Sequence, residues 1–178
     1  MRWFVVFLIA AMLAPAASAQ PTVKSKGTQA VVAAVASPED AIRAFAQAYN
    51  RRDWAAAYAL FTEPAKRGFA ESVRQGNVDD LAPGLSNNAL EPLPEDDRAL
   101  FVATMVAADG AGALPFQLTD IEIAGQTVND PKFAIHLTRA AGTVMVFRTK
   151  LTAEGWRVEN LSGSGGLAPD RLPWGSYR

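Results

Sequence analysis

Residues 37–61 read SPEDAIRAFAQAYNRRDWAAAYALF, and the fold is decided there. Ser37 stands where a helix N-cap belongs, Pro38 at the first helical position, and Glu39 and Asp40 behind it. A serine hydroxyl accepts an orphan backbone N–H, and acids suit the positive helix end. Ala41, Ile42, Phe45, Ala48 and Tyr49 then recur at helical spacing and make one apolar face. Asn50 to Arg52 breaks that face, Asp53 is the next good N-cap, and Trp54 to Phe61 predicts a short second helix. On this view NRRDW is a helix break, and its charges have no role in a site.

Downstream, Pro64 starts a third helix that runs to about Arg74, with Phe69 and Val73 inward. Residues 76–94 (GNVDDLAPGLSNNALEPLP) hold three prolines, two glycines and three asparagines. They read as a long loop with turns, and such loops are often lids or binding loops. A further helix begins near Glu95, buries Leu100, Phe101, Met105 and Val106, and stops at Gly110. From Phe116 the period shifts towards two. Strands are predicted at Phe116–Ala124, Lys132–Arg139, Thr143–Leu151 and Trp156–Leu161, with turns at AGQ, VNDP, AAG and TAEG. Helices followed by consecutive strands predict an α+β fold, with helices packed on one face of an antiparallel sheet.

The N-terminus reads as an export signal. Arg2 precedes an apolar run from Trp3 to Ala14, and ASA at Ala17–Ala19 places cleavage between Ala19 and Gln20. That run is 12 residues long, and a spanning helix needs about 20. The expected organisation is a signal peptide at 1–19, a flexible leader at 20–36, one domain at 37–163 and a Gly/Pro-rich tail at 164–178. Export to the periplasm or beyond follows, with no stable membrane span once the signal is removed. Taking 19 residues from 178 leaves 159, enough for one domain with a real core. Losing Arg2 takes the net charge from −1 to −2. That balance offers nucleic acid no basic surface. With one histidine and no cysteine, no metal site and no cofactor are expected. The acids at Asp79–Asp80 and Glu95–Asp97 lack the spacing of a calcium loop.

The 37–61 segment, together with GWRVENLSG at Gly155–Gly163, resembles the NTF2-like superfamily, and more narrowly its small exported, SnoaL-like members. The resemblance covers about Ser37 to Gly163. It implies a cone, with the N-terminal helices packed in the concave face of a curved antiparallel sheet, often with a pocket inside and often dimeric. Members include isomerases, dehydratases, secretion-system subunits and inert binding modules, so the fold selects no single activity. The catalytic ones use acidic or His–Asp groups facing into the cone. In this chain only His136 and Asp120 stand in for such a pair.

Strand register sorts the remaining candidates. If Leu151 faces Trp156, then Arg148 meets Glu159 and Val146 meets Leu161 on the outer face. Met145, Phe147, Leu151, Trp156 and Val158 then collect on the inner one. Tyr49, Tyr58, Met145, Phe147 and Trp156 are the pocket candidates. Val144, Val146, Arg148, Glu159 and Leu161 form the candidate partner surface, suited to a homodimer. His136 hangs on one turn. A two-residue Ala141–Gly142 loop sets it opposite Phe147 and inward, and a three-residue loop turns it outward. Asp120 either pairs with His136 across adjacent strands or merely ends an alternating run. The expected function is non-catalytic binding of a small, partly apolar ligand or a protein partner. The alternatives are a small isomerase, dehydratase or hydrolase using His136 and Asp120, and a subunit of a cell-envelope assembly.

Overall fold

The Ser37 hydroxyl accepts the Asp40 N–H at 3.1 Å, and α1 runs from there over Pro38–Asn50. The computed structural model describes residues 35–82, 84–86, 90–114, 116–163 and 174–175. The expected signal peptide, its expected cleavage point at Ala19 and Gln20, the expected leader through residue 34 and most of the tail lie outside these. The described residues belong to one unit, Val32–Arg178.

Asp53 caps α2 (Trp54–Ala59) by accepting from the Ala56 N–H at 3.0 Å. The third helix, α3, spans Glu63–Arg74, and its cap is Thr62. A one-turn helix, α4 (Val78–Leu81), interrupts the predicted loop, and Val78, Leu85 and Leu90 are buried. Among the described residues of that segment, these side chains anchor it to the core while Asn77, Asp79, Ser86 and Leu93 are exposed. The last helix, α5 (Asp97–Gly110), is capped by Asp96. Its buried stripe is Leu100, Phe101, Thr104, Met105 and Ala108, and Val106 is exposed. Helical rotation explains the correction, because Val106 directly follows the inward Met105 and is turned about 100° from it.

Five strands follow in chain order as an antiparallel meander: β1 (Glu122–Asn129), β2 (Phe133–Ala140), β3 (Thr143–Thr152), β4 (Gly155–Gly163) and β5 (Trp174–Gly175). The α+β class is as expected. β1 begins six residues later than its sequence pattern indicates. Gly125 lies within it, not in a turn, because two register shifts on either side of Gly125–Gln126 absorb the irregular spacing. The β2–β3 connection is the two-residue loop Ala141–Gly142, with both residues at positive φ (49° and 78°), as a tight hairpin requires.

The β3–β4 pairing carries the main surprise. Leu151 faces Trp156 and Thr149 faces Val158, but Arg148 then faces Asn160 and Phe147 faces Leu161. Glu159 is the extra residue of a bulge. Beyond it β4 turns over, and Leu161 moves from the outer face into the core, where it is fully buried. This removes Leu161 from the candidate partner surface. Leu151, near the strand end, is exposed rather than inward.

The far edge of β4 is covered along its length. Trp156 N–H donates to Val35 O, Val158 exchanges hydrogen bonds with Leu60 and Thr62, and β5 pairs with Asn160 and Leu161. An exposed edge strand invites pairing with another chain, and three separate segments close this one. Pairing therefore extends beyond 37–163 at both ends. Between helices and sheet, Phe45 stacks edge-on with Phe61 (5.0 Å) and Phe147 (6.2 Å). Phe101 lies 4.9 Å from Phe69 and 5.4 Å from Tyr58. These aromatics join α1, α3, α5 and β3 into one core.

Candidate functional site

His136 faces Phe147 and is fully buried. Its partner is not Asp120. Nε2 lies 3.1 Å from Glu39 Oε1, in the first turn of α1. Asp120 is exposed, in a turn, with φ 52°. It precedes Glu122, which pairs with Arg139, so it sits about five residues from the level of His136, on the order of 15 Å along a strand. The candidate catalytic pair is therefore not assembled, because β1 starts only after Asp120. The carboxyl of Glu39 is held below its usual value of 4.5, chiefly by its own backbone N–H; burial opposes this, and His136 and Ser37 add smaller lowering contributions. The His136 Nδ1 is buried without a hydrogen-bond partner. An N–H at Nε2 donating to the Glu39 carboxylate fits this arrangement, since Nδ1 is buried with nothing to donate to. The pair ties the start of α1 to the middle of β2. The signal for Glu39 was in the sequence, as a helix-capping acid, but nothing local said which strand would lie beneath it.

Four of the five pocket candidates are not among the residues that line the cleft described below. Met145 and Phe147 are fully buried in the core. Tyr58 is half-buried against Phe101, with Lys66 Nζ 5.1 Å above its ring. Burial raises its phenol pKa to about 12. Trp156 is half-buried at the sheet end near Val35. Tyr49 is the exception. It lies on the wall of a cleft of about 490 Å³, at the end of the helical layer.

Two helix C-termini open on this cleft. α1 ends with Arg52 at φ 61°, its N–H donating to Tyr49 O at 3.0 Å, and with Asp53 N–H donating to Ala48 O at 2.9 Å. α5 ends the same way through Gly112 at φ 67°, with Ala113 N–H donating to Ala108 O at 2.8 Å. This is the Schellman arrangement, in which glycine is the usual residue at the left-handed position. At α1 an arginine occupies it, which is strained backbone for a residue with a Cβ. Its side chain is put to use. Arg52 Nε lies 3.0 Å from Asp109 Oδ1, and the guanidinium is 5.7 Å from the Trp54 ring.

Segment 116–119 forms the opposite wall. The buried Tyr49 hydroxyl donates to Phe116 O at 3.0 Å, and Asn50 Nδ2 donates to Leu118 O at 2.8 Å. Burial, opposed by that hydrogen bond, raises the Tyr49 phenol pKa, so it remains a donor. Phe116 and Leu118 point inward, and Gln117 and Thr119 are exposed along the rim. NRRDW is thus both the expected helix break and part of a cleft wall, through Asn50 and Arg52. The paired glycines Gly110 and Gly112 were the other available signal, marking the end of α5.

On the outer sheet face, Leu137 (37% exposed) lies opposite Val146, beside Val144 (42%). Arg148 Nε is 2.7 Å from Glu159 Oε2, and Lys150 Nζ is 3.4 Å from Oε1. Glu159 itself is buried, and its Oε2 makes a charge contact with Arg148 rather than an aligned hydrogen bond. Among the described residues no three His, Cys, Asp or Glu side chains gather as metal ligands, and no helix is long and apolar enough to cross a membrane. No protein-family model, curated protein or solved structure matches the chain.

Proposed function

We propose that this chain is an exported NTF2-like domain that binds a small, partly apolar ligand without transforming it, in the cleft between the ends of α1 and α5 and segment 116–119. The cone, the export signal and the family are expectations from sequence. What supports binding is the cleft itself. Its volume of about 490 Å³ falls within the usual range for ligand sites, roughly 300–1,000 Å³. Its walls combine apolar surface from Leu114 and Phe116 with the Arg52–Asp109 pair. The absence of catalysis rests on the separation of His136 from Asp120 and on the burial of His136. General acid–base work needs a group within reach of substrate.

The test is a fragment titration followed by amide NMR. Saturable shifts confined to residues 49–52, 109–114 and 116–119 support binding there. A fragment set that moves no resonance in those segments sinks the proposal.

A second copy of the chain on the outer sheet face is the other reading, favoured by the exposed Leu137 and Val144 flanking Val146. Light scattering at high concentration should then show a dimer that Val146→Glu dissociates. A monomer at every concentration excludes it.

A further inference from the structure

We infer that the cleft selects a ligand with a cationic head group, an amine or guanidinium carried on a partly apolar body, and that Arg52 is the resident cation such a ligand displaces from Asp109. This rests on the cleft being a binding site, and it adds the ligand's charge. Three observations converge. The C-terminal ends of α1 and α5 both open on the cleft. Each carries roughly half a negative charge, worth about twofold to fivefold in affinity for a nearby cation. Asp109, 35% exposed, adds a full carboxylate between them.

The third observation is Arg52. Its side chain is 47% exposed, so leaving Asp109 costs it little burial. It already lies over Trp54 at 5.7 Å and its Nη1 donates to Tyr49 O at 3.4 Å, so two of its contacts do not depend on Asp109. It is also an arginine at a helix-terminal position where glycine is the usual choice, so its side chain is the reason to look for a role. An anion would find the reverse. It would reach Arg52 only by displacing Asp109, and two negative helix ends face whatever enters. Leu114 and Phe116 line the same cleft and supply apolar surface for the body, and the Tyr49 hydroxyl donates to Phe116 O.

The experiment compares benzylamine, benzyl alcohol and phenylacetate, of similar size and three charges, by amide NMR titration of the purified chain near pH 7. Benzylamine should bind about tenfold more tightly than the other two, with shifts at Asn50, Arg52, Asp109 and Gly112. Arg52→Gly restores the preferred glycine and removes the competitor, so the variant should stay folded and bind benzylamine about threefold to tenfold more tightly. Asp109→Asn should weaken benzylamine about twofold to fivefold, and benzyl alcohol less. Thermal melts confirm that both variants fold. Equal binding of all three probes, or a preference for phenylacetate, overturns the cationic selectivity and leaves the cleft standing as a site. Failure of all three to shift any cleft amide overturns the site as well.

Discussion

Replacing Glu39 by alanine measures what the buried His136 contact contributes, and the structure sets the size of the answer. His136 is fully buried, with Nε2 3.1 Å from Glu39 Oε1 and Nδ1 already without a partner. A buried donor stripped of its partner costs about 1–3 kcal/mol. The Glu39 side chain is 41% exposed, so water reaches the gap once the carboxylate is gone, and the lower half of that range applies. Glu39 also occupies the first turn of α1, where a negative charge contributes about 0.3–1 kcal/mol. Glu39→Ala should therefore cost roughly 1.5–2.5 kcal/mol. Glu39→Gln keeps an acceptor and should cost under about 1 kcal/mol. His136→Leu removes both buried nitrogens together and should stay within about 1 kcal/mol of the parent.

The assay is urea unfolding followed by tryptophan fluorescence, on a double-mutant cycle of Glu39→Ala and His136→Leu. In the His136→Leu background, Glu39→Ala should lose only its helix-end part, under about 1 kcal/mol. Acid adds an independent check. Glu39 holds its proton less tightly when folded than its usual 4.5, so protonation favours the unfolded chain. Its contribution is complete above about pH 4.5 and disappears as the pH falls through the lower folded value. Glu39→Gln should flatten that acid limb. A cost above about 3 kcal/mol for His136→Leu, or no coupling between the two sites, would refute this picture of the contact.

Other substitutions probe the frame. Asp53→Ala should cost roughly 0.5–2 kcal/mol in unfolding experiments, as a lost N-cap does, with ligand binding intact. Leu161→Ala should cost about 2–5 kcal/mol, since the bulge carries this residue into the core; a loss below about 0.5 kcal/mol would mean that it lies on the outer face. Tyr49→Phe should cost about 0.5–1.5 kcal/mol and loosen segment 116–118, seen as faster amide exchange there, because it deletes the hydroxyl bond to Phe116 O.

The helical half was legible because its signals are local. Ser37, Asp53 and Pro64 mark ends or starts within one turn of the residues they serve, and apolar spacing tells which face is buried. The sheet was harder. A two-residue turn at Ala141–Gly142 settles where His136 points, and sequence left its length open. A single bulge at Glu159 inverts everything beyond it, and nothing in GWRVENLSG announces an unpaired residue. The cleft was hidden for another reason. Its walls come from residues 49–52, 109–114 and 116–119, which only tertiary packing brings together. Charges that explain a helix end locally, as in NRRDW, give no hint of a second neighbour such as Asp109. The His136 partner was missed in the same way, for Glu39 lies 97 residues upstream.

The most direct measurement fills the cleft. Gln117 is exposed on its rim, so Gln117→Trp should occupy the space without disturbing the core. Saturation-transfer NMR with apolar and benzylamine fragments, on the parent chain and this variant, reads the result. The expected outcome is binding to the parent, loss of about tenfold or more in the variant, and an unchanged melting temperature. Equal binding to both proteins would contradict the cleft as the site of function.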